Sequence, residues 1–486
     1  MRLSELLREV EFEGSIKNDF DIKFVTDDSR LVRPGALFVC IRHRSFDGHT
    51  AAAEALASGA AAVVTQERLG LENELNVADS RAAYARLCAA LCGHPERKLR
   101  MIGVTGTNGK TTVTTLIRNI LSDSGIKTLL TGTVCNRLGE ESLPSGLTTP
   151  KPPELYSLLS RAVLSGCEAC VAEASSQALA QGRLEGIVFD AAVFTNITRD
   201  HLDYHGTFEN YLAAKKKLFE HSEVSAVNLD DPRADEIIAA SSGKTVTFST
   251  VLDCADYTAK NISLLPEGVS FELVSKGRIE HINFASPGLF SVSNAMAAAV
   301  CAINLGVDPR SAAQSLARSK GVCGRLERVE CGTPYSVIID YAHTPDGLEQ
   351  VLRALRPSCR GKLIVLFGCG GDRDKTKRPL MGAAACKYAD TVIVTSDNPR
   401  SEEPMKIIGD ILKGTDKKRR GLFIEEDRRR ATALALSLAT PGDTVLLAGK
   451  GHEKYQLICG EKLPLDERET VREILGLPHD TGRKKP

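Results

Sequence analysis

The chain has 486 residues, 42% hydrophobic and 26% charged, and its 62 Lys plus Arg balance 62 Asp plus Glu to a formal net charge of zero. That length exceeds one compact core and calls for about two to four domains. The balanced charge argues against a general nucleic-acid or polyanion binder, and no apolar run reaches the length of a membrane span.

The amino terminus, MRLSELLREV, carries charges among its apolar positions and predicts an amphipathic helix rather than a signal peptide. Apolar runs at 36–41 and 59–64 flank a helix-like stretch at 50–57, and this small α/β unit ends at the polar run GHPERKL, residues 93–99. Strand and helix signals then alternate to about residue 326, with strands at 101–104, 127–130, 169–173 and 191–195 and a helix running to about 124. A third block repeats the pattern with strands at 336–340, 362–367, 391–395 and 444–448. Such alternation predicts parallel sheets covered by helices on both faces. The expected fold class is therefore α/β in three domains: 1–97, small; 98–326, a doubly wound, mostly parallel sheet; and 327–486, Rossmann-like. The 14 cysteines are scattered, several in runs that read as core, such as Cys301, and predict reduced thiols of a cytoplasmic protein.

The run GVTGTNGKTT at 103–112 follows a strand and opens a helix. It reads as a phosphate cradle: loop N–H groups, the positive helix end, Lys110 and a Thr111 hydroxyl suited to Mg²⁺. Its spacing departs from the general P-loop rule, because Val104 fills the slot of the first glycine.

In doubly wound sheets ligands sit beyond the carboxyl ends of the strands, which draws attention to the residues just after each run. Glu173 ends one strand and is suited to hold Mg²⁺, directly or through water. His201, between Asp200 and Asp203, reads equally as a surface turn. Gly368-Cys-Gly-Gly invites a dinucleotide reading that fails because the third glycine position is Arg373. Cys167 and Cys170 have metal spacing but no partner pair, so a buried strand is expected there. In the segment 208–219, apolar residues at 208, 211, 212, 218 and 219 trace one helical face shared by Lys215, while Lys216 and Lys217 point elsewhere. Helix geometry alone leaves a snorkelling lysine and a functional one equally open.

These residues resemble those of the Mur ligases, ATP-dependent enzymes that add amino acids to the peptidoglycan precursor, and most of all the branch adding the third residue. The carrying motifs are DSR at 28–30, GTNGKTT at 106–112, TTP at 148–150, EASS at 173–176, NITRDHLDYH at 196–205, Ala214-Lys215, GRLE at 324–327, DYAH at 340–343 and DNPR at 397–400. They span all three predicted domains.

The resemblance implies ATP-driven formation of an acyl phosphate on the D-glutamyl carboxylate of UDP-MurNAc-L-Ala-D-Glu, followed by attack of an amine. It implies a UDP-substrate domain at 1–97, an ATP domain at 98–326 and an amino-acid domain at 327–486. Lys110, Glu173, His201 and Lys215 would be catalytic, with Mg²⁺ held by Thr111, Glu173, His201 and a carbamate formed from CO₂ on Lys215. ATP would meet Gly106, Thr107, Asn108, Gly109, Lys110, Thr111, Thr112, Asn294, Arg325, Asp340 and His343. The UDP-muramoyl dipeptide would meet Ser29, His43, Arg44, Ser45, Thr148, Thr149, Ser175, Gln181 and Arg183. Arg373, Asp397, Asn398, Pro399, Arg400, Gly449 and Glu453 would form a meso-diaminopimelate pocket, in which Arg400 offers a bidentate partner for the carboxylate that lysine lacks.

Alternatives are a lysine-adding ligase, a folylpolyglutamate synthetase-like ligase that would not need the block 1–97, and a P-loop switch, which leaves the acceptor motifs unexplained. A cytoplasmic monomer with small-molecule partners, no nucleic acid and no membrane span is expected.

Overall fold

Apolar strands at Ala36–Val39 and Ala62–Thr65, buried at every position, form the middle of a five-stranded sheet in the computed structural model, which describes residues 1–43, 46–265, 267–416 and 419–478. Strands Phe24–Thr26 and Glu74–Asn76 flank them in parallel, and Glu13–Gly14 closes one edge antiparallel. Phe38, Cys40 and Val63 pack against Ala51, Ala52 and Ala55 at the short helix Ala52–Ala57. The amino-terminal helix is shorter than its charge pattern suggests, covering Leu3–Leu6 with a tighter turn at Leu7–Glu9. Val10 is already extended, and so short a segment is held by burial of Leu3, Leu6 and Leu7 rather than by its own propensity.

Contacts divide the chain into two compact units. The first holds Met1–Gly106, Leu121–Val227 and Pro232–Val246. The second holds Thr107–Ile120, Asn228–Asp231 and the chain from Thr247 onward. Besides the sheet above, the first unit contains parallel strands in the order Val224–Asn228, Ala191–Phe194, Arg100–Thr105, Ala169–Glu173, Thr128–Thr131, with an antiparallel hairpin, Asn136–Leu138 and Glu141–Leu143, on the outer edge. Arg100–Thr105 lies between two strands that come later in the chain. The register sets Glu173 opposite Val104 and Phe194 opposite Thr105, so the carboxyl ends of three strands meet where Gly106 begins the expected phosphate loop.

The second unit contains an antiparallel meander, Tyr257–Leu265, Gly268–Ser275 and Arg278–Phe284, where the sequence reading expected continued parallel alternation. Its last turn is the two residues Lys276 and Gly277, both at positive φ (45° and 79°), a backbone twist that matches an antiparallel hairpin.

The second unit also holds a six-stranded sheet in the order Glu327–Arg328, Ser336–Asp340, Thr444–Ala448, Leu363–Phe367, Thr391–Val394, Leu422–Ile424, parallel except at the first pairing. One face packs on helices Pro345–Leu355, Lys377–Tyr388 and Pro404–Leu412, the other on Arg428–Leu438 and Glu467–Ile474. This is the two-sided burial that the apolar runs predict.

Candidate functional site

The phosphate loop is shaped by close approach. A Cβ on Gly106 would fall 1.9 Å from Thr195 Oγ1, whose residue donates its N–H to Thr105 O at 3.1 Å. Gly109 takes φ of 88°, a conformation other residues rarely adopt, and the helix Lys110–Asp123 starts at the next residue. Lys110 Nζ folds back to donate to Thr107 O at 2.9 Å.

Within the second unit, Arg325 Nη2 reaches Thr111 Oγ1 at 3.4 Å while its guanidinium carbon lies 4.6 Å from the Tyr341 ring centre. Asn108 donates to Asp346 at 3.3 Å. Asp340 is buried and accepts from Leu326 N and Ala342 N at 2.8 and 2.7 Å, tying the GRLE turn to the strand end. Burial raises its carboxyl above the ordinary value, against the lowering influence of Arg325. His343 is exposed and bonded to Tyr341 O through Nδ1. Asn294 is buried on the helix Leu289–Asn304, and no hydrogen bond ties it to the loop among the described residues.

In the first unit Glu173 is 1% exposed, and its carboxylate accepts from Thr133 N and Oγ1 at 2.8 and 2.9 Å. Gly132 makes room, since a Cβ there would stand 2.3 Å from Glu173 Oε1. The Thr133 hydroxyl also lies 3.1 Å from Thr148 Oγ1. Thr149 Oγ1 donates to Glu173 O at 2.6 Å and accepts from Ser175 N at 3.1 Å. Arg183 donates to Thr149 O at 2.7 Å and, by two nitrogens, to Gln181 Oε1 at 2.9 and 2.6 Å. Gln181 in turn donates to Tyr204 OH at 3.0 Å. Five expected dipeptide contacts and Glu173 thus form one hydrogen-bonded network.

Gln181 and Tyr204 also line an open pocket of about 320 Å³ with Arg42, His43 and Arg81. His43 Nε2 lies 3.3 Å from Asp27 Oδ2, and Arg81 donates to Arg42 O at 2.6 Å. Ser29 is half-buried in a turn capped by Asp28 and does not line the pocket. Arg44 and Ser45 lie outside the described residues. Sequence reasoning did not name Arg42 or Arg81 and met Tyr204 only as part of the motif at 196–205, although Arg42 directly follows the apolar run at 36–41.

Lys215 faces inward as the helical period predicts: it is 1% exposed, whereas Lys216 is half-buried and Lys217 exposed. Its Nζ stands 4.6 Å from the Tyr211 ring centre. The helix ends at Lys216, so Leu218 and Phe219 reach the core from the following turn rather than from the helix. His201 takes a left-handed conformation (φ 53°) with a 45% exposed side chain, and its ring centre is 6.4 Å from that of Tyr211. His205, bonded to Ser176 Oγ at 3.0 Å, is lowered below the ordinary imidazole value by burial and by the neighbouring His201 and Lys215. Among the described residues no three His, Cys, Asp or Glu side chains gather as a metal cluster; the expected set adds Thr111 and Lys215 to one carboxylate and one imidazole. Cys167 and Cys170 are buried free thiols, the latter within Ala169–Glu173.

The residues expected to meet the amino acid gather beyond the strands Thr391–Val394 and Thr444–Ala448. Arg400, at φ 54°, donates Nη1 to Gly371 O at 2.5 Å, and its backbone pairs with Leu457 and Cys459 in the last hairpin. Glycine at 371 is required, since a Cβ would lie 1.9 Å from Pro399 O. Asp397 and Asn398 are buried, and Gly449, at φ 110°, brings its backbone against Asp397, where a Cβ would stand 3.1 Å from Oδ2. Asn398 donates Nδ2 to Glu453 Oε2 at 2.9 Å. Arg373 is exposed beside this cluster's glycine turn. Lys450 and Arg428, which sequence reasoning did not single out, are buried cations beside these residues, as is Arg378, which donates to Gly370 O at 3.4 Å.

Three family descriptions match in chain order: the Mur ligase family catalytic domain at residues 21–89, the Mur ligase middle domain at 104–302 and the Mur ligase glutamate ligase domain at 324–451. The chain belongs to the Mur ligase family. It is similar to the UDP-N-acetylmuramoyl-L-alanyl-D-glutamate–2,6-diaminopimelate ligase of Syntrophomonas wolfei, with 43% identity over 98% of this chain and 99% of that one. The Clostridium tetani protein of the same name is 41% identical over the same shares. A solved Mur ligase structure of that name superposes with a TM-score of 0.72 at 34% identity, covering 98% of this chain and 99% of that one. No helix among the described residues is long and apolar enough to cross a membrane.

Proposed function

We propose that this Mur ligase uses ATP to join meso-diaminopimelate to the D-glutamyl carboxylate of UDP-MurNAc-L-Ala-D-Glu, releasing ADP and phosphate. Full-length relatives carry that activity in their names. The observation that carries the choice of amino acid is Arg400. One nitrogen of its guanidinium is anchored on Gly371 O and no other side-chain hydrogen bond engages it among the described residues, so an edge remains for the second carboxylate that distinguishes diaminopimelate from lysine.

A carboxylate is a poor acyl donor because oxide is a poor leaving group. Transfer of the γ-phosphoryl of ATP to the D-glutamyl carboxylate makes phosphate the leaving group, and the incoming amine then displaces it to form the amide. Lys110 and the loop N–H groups neutralise charge on the transferred phosphoryl. The donor chemistry suits Mg²⁺, a hard cation that takes oxygen ligands: Thr111 and Glu173 would hold one ion, and His201 with a carbamate formed by CO₂ on Lys215 a second. Such an ion would supply neutralisation of phosphate charge. Burial of Lys215 fits the carbamate, because burial disfavours the ammonium form and carbamate formation needs a neutral amine. Thr148, Thr149, Ser175, Gln181 and Arg183 would orient the muramoyl dipeptide, and the arginine-lined pocket around His43 suits the diphosphate of its UDP. Arg325, Asp340 and His343, with Asn294, would hold the nucleotide. The reading implies a cytoplasmic monomer.

The test is ADP release by the purified protein with UDP-MurNAc-L-Ala-D-Glu, ATP, Mg²⁺ and a panel of amino acids. Diaminopimelate should be strongly preferred, and Arg400→Ala should raise its KM by at least about tenfold while leaving the KM for ATP in place. Equal kcat/KM with L-lysine would overturn the assignment, and turnover only with folate and glutamate would favour the folylpolyglutamate reading.

A further inference from the structure

Lys450 has no exposed surface and lies among the groups expected to bind the incoming amino acid. Its Nζ donates to Asn398 Oδ1 at 2.7 Å and to Glu453 Oε2 at 2.8 Å, and stands 3.6 Å from Asp397 Oδ1. Asn398 is thereby fixed: Oδ1 accepts from Lys450 and from Leu457 N at 2.9 Å, and Nδ2 donates to Glu453. Both protein donors to the Glu453 carboxylate converge on Oε2. Asp397 Oδ1 is buried with no hydrogen-bond partner, although Lys450 is within ionic reach. A buried carboxylate oxygen left unbonded is costly unless a ligand completes it.

Asp397 and Glu453 bring two negative charges to the expected pocket, and Arg373 and Arg400 two positive ones, of which Arg373 is exposed to solvent. Among the described residues Lys450 is the cation in ionic reach of both carboxylates, and without it that pair would favour a bare cation such as the ε-ammonium of lysine. With Lys450 one of the two carboxylate charges is cancelled at contact, which leaves Arg400 and one carboxylate to meet an end that carries both a carboxylate and an ammonium.

We propose that Lys450 is a positioning residue that sets the preference for a zwitterionic side-chain end, by fixing Asn398 and Glu453 and by cancelling one carboxylate charge without itself touching the amino acid. This inference rests on the ligase reading above.

The experiment compares KM and kcat for diaminopimelate, L-lysine, ATP and the UDP-dipeptide in the wild-type protein, Lys450→Met and Lys450→Arg. In Lys450→Met the KM for diaminopimelate should rise at least about tenfold, the ratio of diaminopimelate to lysine use should fall by a similar factor, and the KM for ATP should stay within about twofold. Lys450→Arg, which retains the charge, should keep more of the preference. If Lys450→Met does not fold, Lys450→Gln, which removes the charge but keeps a hydrogen-bonding end, is read in the same way. A neutral variant that keeps the wild-type preference would overturn the inference, as would equal losses for diaminopimelate, ATP and the UDP-dipeptide. Wild-type protein that fails to use diaminopimelate would instead overturn the diaminopimelate reading on which this inference rests.

Discussion

Replacing Arg428 by methionine is the sharpest test of how the residues expected to bind the amino acid are held. Arg428 and Glu467 are each 1% exposed and form an ion pair, with Arg428 Nε 2.8 Å from Glu467 Oε1. The same guanidinium donates to Ala448 O at 2.8 Å and to Ser396 O at 3.3 Å, the residues immediately before Gly449 and Asp397. Breaking a buried pair by removing one partner costs about 3–5 kcal/mol, and a stranded buried carbonyl about 1–3 kcal/mol more before relaxation. These terms overlap, so a loss of about 4 kcal/mol is expected.

The loss should depend on pH. Burial raises the Glu467 carboxyl above its ordinary 4.5, and Arg428 is the largest influence opposing that rise. In the variant the folded form holds Glu467 protonated while the unfolded chain ionises it. A raised carboxyl contributes stability below its unfolded value and loses it as pH rises, so the variant should be penalised more at about pH 8 than at about pH 5. The chain has no tryptophan, so urea unfolding is best followed by far-ultraviolet circular dichroism. Arg428→Met/Glu467→Leu, which removes both charges, should recover much of the loss. A loss below about 1 kcal/mol, or one that does not change with pH, would refute the reasoning.

Lys215→Ala should abolish amide formation, and a short carboxylic acid should restore part of it; failure of every such acid would remove the carbamate role. Gly106→Ala should abolish nucleotide binding, measured calorimetrically, because its Cβ would meet Thr195 Oγ1 at 1.9 Å; wild-type affinity for ATP would show that the loop can yield. His452 is pushed down to about 4 by burial and then by the charge of Arg325. Its neutral ring contributes stability above the unfolded value of about 6.5 that is lost as pH falls towards 4, up to about 3 kcal/mol. The melting midpoints of wild type and His452→Phe should therefore converge on acidification, and a gap that stays constant would count against this.

The strands at 169–173, 336–340 and 444–448 could be read to the residue, because a strand buried on both faces is a continuous apolar run bounded by polar residues. The inward face of Lys215 followed from helical period for the same reason: one geometric rule acts over adjacent residues. The antiparallel meander at 257–284 was missed because its half-buried strands mix polar and apolar residues and give no such run. Contacts between distant loops were also beyond local pattern. Nothing near Glu173 announces Thr133 as its donor, and nothing in the run GKGHE at 449–453 shows that Lys450 would meet Asn398. The side chains that contact ligand in the resemblance were nameable, while the buried Lys450 and Arg428 and the pocket-lining Arg42 and Arg81 required the fold.

The three strand ends at the phosphate loop are aligned by a ladder of main-chain bonds, Glu173 across from Val104 and Phe194 across from Thr105. Such a ladder does not read the side chains it carries. The interior of the sheet is therefore free to drift among apolar residues of similar volume while the reactive edge keeps its alignment. Deleting one residue from the strand Ala169–Glu173 would do the opposite: composition would hardly change, yet Glu173 would move one pleat and turn to the opposite face. For this enzyme frame, tolerance to substitution and intolerance to insertion or deletion have a single origin.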